Sequence, residues 1–96
     1  MTIKGVNIEE QKIIDSILAK FKDKYEFYYY GSRVKDNFRF LSDLDILIKE
    51  NVSLDDLDAL KTLFDNSNLP YVVNFTDYSS MDKNFYNLVK NDLVKA

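Results

Sequence analysis

Asp43 and Asp45 stand two residues apart in a run bounded by Leu41, Leu44, Ile46, Leu47 and Ile48. In a strand, that spacing puts both carboxylates on one face and Leu44, Ile46 and Ile48 on the other. At roughly 3.3 Å per residue the two lie about 7 Å apart along the backbone. Neighbouring carboxylates repel unless something positive sits between them. Mg²⁺ suits such a pair, because it takes carboxylate oxygens together with substrate phosphates. Upstream, Gly31 and Ser32 end the aromatic run Tyr28-Tyr29-Tyr30. A glycine at a strand end lets the backbone approach a ligand closely. The free N–H groups of a following helical turn suit a phosphate, and the Ser32 hydroxyl adds a donor. Each feature alone has a plain structural alternative, a solvent-facing strand entry for the aspartates and a Ser-capped turn for Gly-Ser. Together they supply a phosphate cradle and a metal pair on adjacent strands. Arg33 and Lys35 could contact phosphates or face solvent, and Arg39 could meet a ligand or a partner in the same way.

Composition narrows the chemistry further. The chain has 96 residues, no cysteine and no histidine. Disulfides, thiolate zinc sites, imidazole bases and Ser-His-Asp triads are excluded. Any reaction must rest on carboxylates, Ser, Lys, Arg, Tyr or a carboxylate-held metal. The net charge of −3 argues against a dedicated duplex-DNA-binding role. The start of the chain has no apolar signal region and no run approaches membrane-spanning length, so no membrane role and a cytoplasmic location are expected. The length fits one domain over residues 1–96 with one modest core.

The elements that must position these residues follow from patterning. Ile13, Ile14, Ile17, Leu18 and Phe21 recur at helical spacing, with Asn7 and Glu10 as a capping pair, which predicts a helix from about Ile8 to Lys22. The aromatic stretch ending at Gly31 reads as a strand, followed by a brief helical turn and a loop. The Asp43–Asp45 segment is the second strand. Ser53 opens a helix with Leu54, Leu57, Leu60, Leu63 and Phe64 on one face, ended by Asn66-Ser67-Asn68. Residues 71–77 alternate as a third strand. Ser79 or Ser80 is expected to cap a last helix carrying Phe85, Leu88, Val89 and Leu93. The order αβ(α)βαβα makes a small α/β fold. Asp55, Asp56 and Asp58 fit a helix N-terminus and a solvated face better than a metal site.

The stretch GSRVKDNFRFLSDLDIL, residues 31–47, resembles the signature of the minimal nucleotidyltransferases, small relatives of the DNA polymerase beta superfamily. The likeness extends to LPYVVNFTDY, similar to that family's third strand, and to the element order. It implies a nucleotidyltransferase fold with a short, mixed three-stranded sheet packed by helices. It also implies Mg²⁺-dependent transfer of a nucleoside monophosphate, usually AMP from ATP, to a hydroxyl. Gly31 and Ser32, with Arg33 and Lys35, would hold the nucleoside triphosphate, and Asp43 and Asp45 would ligate metal. Many of the smallest relatives act as antitoxins of a HEPN-domain protein, which implies such a partner here. A site this small covers one side of a nucleotide, so a homodimer or a partner is expected to complete it.

Two departures from the family pattern stand out. Its third strand usually carries another acidic residue that helps bind a second metal and favours deprotonation of the attacking hydroxyl. Here that position is Asn74, which has no charge and cannot act as a base. Asp77 is the candidate substitute, but it lies three residues on and faces the other side of a regular strand. Only a bulge or an early strand end would bring it in. The other departure is Asp36, where the family often has glycine. Asn74 therefore keeps open an alternative class of function, a non-catalytic antitoxin or nucleotide-binding module of the same fold.

Overall fold

A computed structural model describes Ile3, residues 5–35, 38–39 and 42–96. The Asp36 departure lies outside the described residues. Helix α1 spans Ile8–Leu18, opened by the expected reciprocal cap: Asn7 Oδ1 accepts from Glu10 N at 2.8 Å and Glu10 Oε1 accepts from Asn7 N at 3.2 Å. It buries Ile14, Ile17 and Leu18. The regular helix stops four residues before the predicted Lys22. Lys20 N and Phe21 N bond three residues back, to Ile17 and Leu18, and these tighter bonds unwind the end into turns. Helix α2, Leu54–Asp65, is capped by Ser53, whose Oγ accepts from Asp56 N. Leu60 and Phe64 form its buried stripe, whereas Leu54, expected on that face, is 84% exposed in the first turn.

Strands β1 (Phe27–Tyr30), β2 (Leu44–Ile48) and β3 (Val73–Asp77) form where predicted. A fourth, β4 (Val94–Lys95), pairs antiparallel with β1, so the sheet has four strands in the order β3-β2-β1-β4. Two residues are too few to show an alternating pattern, which is why this strand was not legible in sequence. It borrows its order from Phe27, whose carbonyl accepts from Ala96 N at 2.9 Å. The last helix, α3, is also shorter than expected. Ser79 and Ser80 belong to a 3₁₀ turn over Tyr78–Ser80, Asp82 caps the helix, and α3 runs only from Lys83 to Val89, leaving Leu93 outside. The brief helical turn after Gly31 is one closed turn, with Val34 N on Gly31 O at 3.2 Å.

β1 and β2 are antiparallel, with Tyr30 opposite Asp45; β2 and β3 are parallel, with Asp45 opposite Asn74. Alternation then assigns the faces. Phe27, Tyr29, Leu44, Ile46 and Ile48 join Ile14, Leu18, Leu60 and Phe64 in the main core. The other face carries Tyr30, Asp45, Leu47, Asn74 and Thr76. Leu47 is fully buried there, and Phe85 of α3 meets Tyr30 edge-on at 6.0 Å between centroids. Tyr30 Oη donates to Thr76 Oγ1 at 3.4 Å, spanning the sheet over β2. This apolar floor leaves the Asp45 end of the face open.

Candidate active site

The site is built at the start of two parallel strands. Asp43 is exposed and directly precedes β2, Asp45 is half-buried as its second residue, and Asn74 sits beside Asp45 as the second residue of β3. Asn74 Nδ2 donates to Asp43 Oδ2 at 2.8 Å and to Asp45 Oδ1 at 3.4 Å. An amide NH₂ carries two hydrogens and can serve both acceptors. Asn74 thus takes the partly positive position that two converging carboxylates require. Burial raises the Asp45 carboxyl above its usual range; the Asn74 hydrogen bond opposes this, and the charge of Asp43 adds to it.

Gly31 contributes more than ligand access. Its φ is +85°, a region that L side chains rarely enter, and a Cβ there would lie 2.3 Å from Asp45 Oδ2. The glycine is therefore packed against the Asp45 carboxylate itself, a relation that no local pattern discloses. Ser32 follows it, half-buried, and among the described residues its hydroxyl makes no hydrogen bond.

The other candidates are placed differently. Arg33 is only 3% exposed, its guanidinium stacked on the Tyr71 ring at 3.6 Å and bonded to backbone carbonyls of Gly5, Arg39 and Ser42. Those contacts use the group inside the protein, so the expected phosphate contact does not fit its position. Lys35 pairs with Asp92 at 3.2 Å and stays more than half exposed. Arg39 is exposed at the surface. Asp77 does not join the site. β3 is paired without a bulge and Asp77 lies opposite the core residue Ile48. Its Oδ1 accepts from Ser80 N at 2.9 Å and from Ser79 Oγ at 3.2 Å, contacts that depress its pKa. A carboxylate committed to capping the next turn is not a third site ligand.

Asp43 and Asp45 offer hard oxygens converging on one point, a donor set that fits one Mg²⁺ completed by water and phosphate oxygens. Among the described residues no third Asp, Glu, His or Cys joins them. The residues therefore fit one divalent cation and do not fit a second.

Residues 10–93 match the nucleotidyltransferase domain family. The chain is also 33% identical over 91 residues to the probable protein adenylyltransferase MntA of Haemophilus influenzae, an alignment covering 93% of this chain and 80% of that protein. Both similarities support nucleotidyl transfer as the general reaction. With four strands in place of the three expected, the mixed sheet and its helices agree with them, and the chain belongs to the nucleotidyltransferase domain family.

Proposed function

We propose that this protein transfers AMP from ATP to a hydroxyl on a protein partner. The observation that carries the proposal is the convergence of Asp43 and Asp45 on one point beside the Gly31-Ser32 turn. The name of the Haemophilus relative, a probable protein adenylyltransferase, supports AMP as the group and protein as the acceptor. In the reaction the acceptor oxygen bonds to the α-phosphorus, the bond to the β-phosphate oxygen breaks, and pyrophosphate leaves. Asp43 and Asp45 would hold Mg²⁺, which when bound neutralises the triphosphate and draws charge from the reacting phosphorus. Ser32 Oγ, without a partner inside the described protein, is available to a phosphate oxygen. Asn74 cannot take the acceptor proton, so that proton passes to solvent and the transfer is slow. The partner we propose is a HEPN-domain protein that this chain holds in check as an antitoxin, with the partner or a second copy closing the open side of the nucleotide.

One observation favours a second reading. The Asn74 amide already satisfies both carboxylates, as it would in a binding module that no longer needs a metal. Incubation with α-labelled ATP, Mg²⁺ and the partner protein separates the two. Label on the partner that disappears in Asp45→Ala supports transfer. A partner that is bound and inhibited but never labelled supports the module.

A further inference from the structure

The geometry points to a second set of residues on which the site depends, lying partly outside the region that matches the family. We infer that Arg33 and Gly5 form a clamp that positions the Asp43 carboxylate, making the segment before α1 part of the site. The inference rests on the role proposed for Asp43 above.

Asp43 lies outside the strand ladder and is exposed, so apart from the Asn74 hydrogen bond its own packing does not fix its direction. The two peptide units flanking it are fixed instead. On its C-terminal side, Leu44 N donates to Val72 O at 2.9 Å. On its N-terminal side, the Ser42 carbonyl accepts from Arg33 Nε at 2.8 Å. Ser42 is further tied to Arg39, with Ser42 N on Arg39 O at 3.0 Å and Arg39 N on Ser42 Oγ at 2.8 Å. Arg33 Nη2 reaches the same Arg39 carbonyl at 3.4 Å. A planar guanidinium can bind several carbonyls at once in a fixed fork, whereas an ammonium cannot reproduce that geometry.

Arg33 is itself held from the other side. Gly5 N donates to Arg33 O at 3.0 Å, and Gly5 O accepts from Arg33 Nη1. A Cβ on Gly5 would lie 2.6 Å from Arg33 Cβ and 2.8 Å from Arg33 Cα. Contact this close with backbone cannot be relieved by a side-chain rotation, so any larger residue moves Arg33. Both glycines of the chain are thereby committed to the carboxylates: Gly31 by direct contact with Asp45, and Gly5 through Arg33 and Ser42 to Asp43. Gly5 precedes the family match at residues 10–93. Arg33 is a positioning residue, since it acts through the Ser42 peptide and touches no reacting atom.

The test uses Gly5→Ala and Arg33→Lys, with Leu60→Ala as a control that disturbs the α2 core contact and leaves the clamp intact. All are compared well below their unfolding transitions. The first readout is the Asn74 side-chain amide resonance, assigned by its loss in Asn74→Asp, because Asp43 is its nearer acceptor. It should move in Gly5→Ala and Arg33→Lys towards its position in Asp43→Ala, and stay put in Leu60→Ala. The second readout is Mg²⁺-dependent ATP binding by calorimetry, expected to weaken tenfold or more in both clamp variants and to hold in the control. An Asn74 resonance unmoved in both clamp variants overturns the clamp, as does a shift that Leu60→Ala reproduces. If the resonance moves as expected but even the native protein fails to bind MgATP, the clamp stands and the nucleotide reading of the site falls.

Discussion

Replacing Asn74 with Asp inserts a third carboxylate where an amide now holds the other two together. Its nitrogen lies 2.8 Å from Asp43 Oδ2 and 3.4 Å from Asp45 Oδ1. An aspartate there would bring charge centres to within about 4 Å, where each like-charge pair costs about 1 kcal/mol in water and about 4 kcal/mol at an effective dielectric of 20. Asp43 and Asn74 are exposed and Asp45 is half-buried, so the lower figure governs. With the two exposed hydrogen bonds also lost, the expected penalty without divalent cation is about 3 kcal/mol. For a domain of this size that is a drop in Tm on the order of 10–20 °C. Adding Mg²⁺ should offset most of that penalty, because a cation at about 100-fold its Kd returns about 2.7 kcal/mol to the state that binds it. The native protein, with two carboxylates, should respond much less to the same titration. Paired thermal melts with EDTA and with Mg²⁺ measure both effects, and single-turnover transfer to the partner measures the third. A positioned carboxylate adds a proton acceptor, and the rate should rise about 10²-fold or more. A variant as stable as the native chain in EDTA would mean that Asn74 does not sit between the aspartates. Full metal dependence without any gain in rate would mean that this position does not limit transfer.

Other expectations follow from single contacts. Gly31→Ala forces a side chain into positive φ and its Cβ against Asp45; the backbone term alone is about 1–2 kcal/mol, and urea titration should show at least that loss together with loss of MgATP binding. Asp77→Ala removes the cap of the 3₁₀ turn at about 1 kcal/mol and should leave MgATP affinity by calorimetry within twofold, whereas abolished binding would return Asp77 to the site. Burial raises the Asp45 carboxyl, so the folded chain holds that proton more tightly than the unfolded one. Its favourable contribution is complete at acid pH, below the ordinary carboxyl value, and is lost as pH rises through the raised value. Asp45→Asn should therefore be more stable than native at neutral pH without metal, and the two urea midpoints should converge as the pH falls through that window.

The chain's periodicities were enough to locate the helices and the three longer strands, because alternation and the helical stripe are properties of consecutive residues. The same holds for the shared face of Asp43 and Asp45, which needs only a strand period of two, and for Asp77 facing away from Asn74. Capping of α1 and α2 was equally legible, since each cap side chain accepts from an N–H three residues on. What sequence could not supply was every relation between residues distant along the chain. β4 is two residues that acquire strand geometry only against β1. Arg33 reads as a basic residue after a phosphate turn, yet Tyr71, Ser42 and Gly5 converge on it from three directions and draw it inside. Gly5 carries no local signal; its lack of a side chain matters only because Arg33 packs there. Asn74 was legible as a missing charge, but its amide bridging both aspartates required the parallel register that sets β3 beside β2. Local sequence specifies which face a residue takes on its own element. Which residues then meet across elements depends on strand register and on how the loops close, and those are decided by the packing of the whole chain.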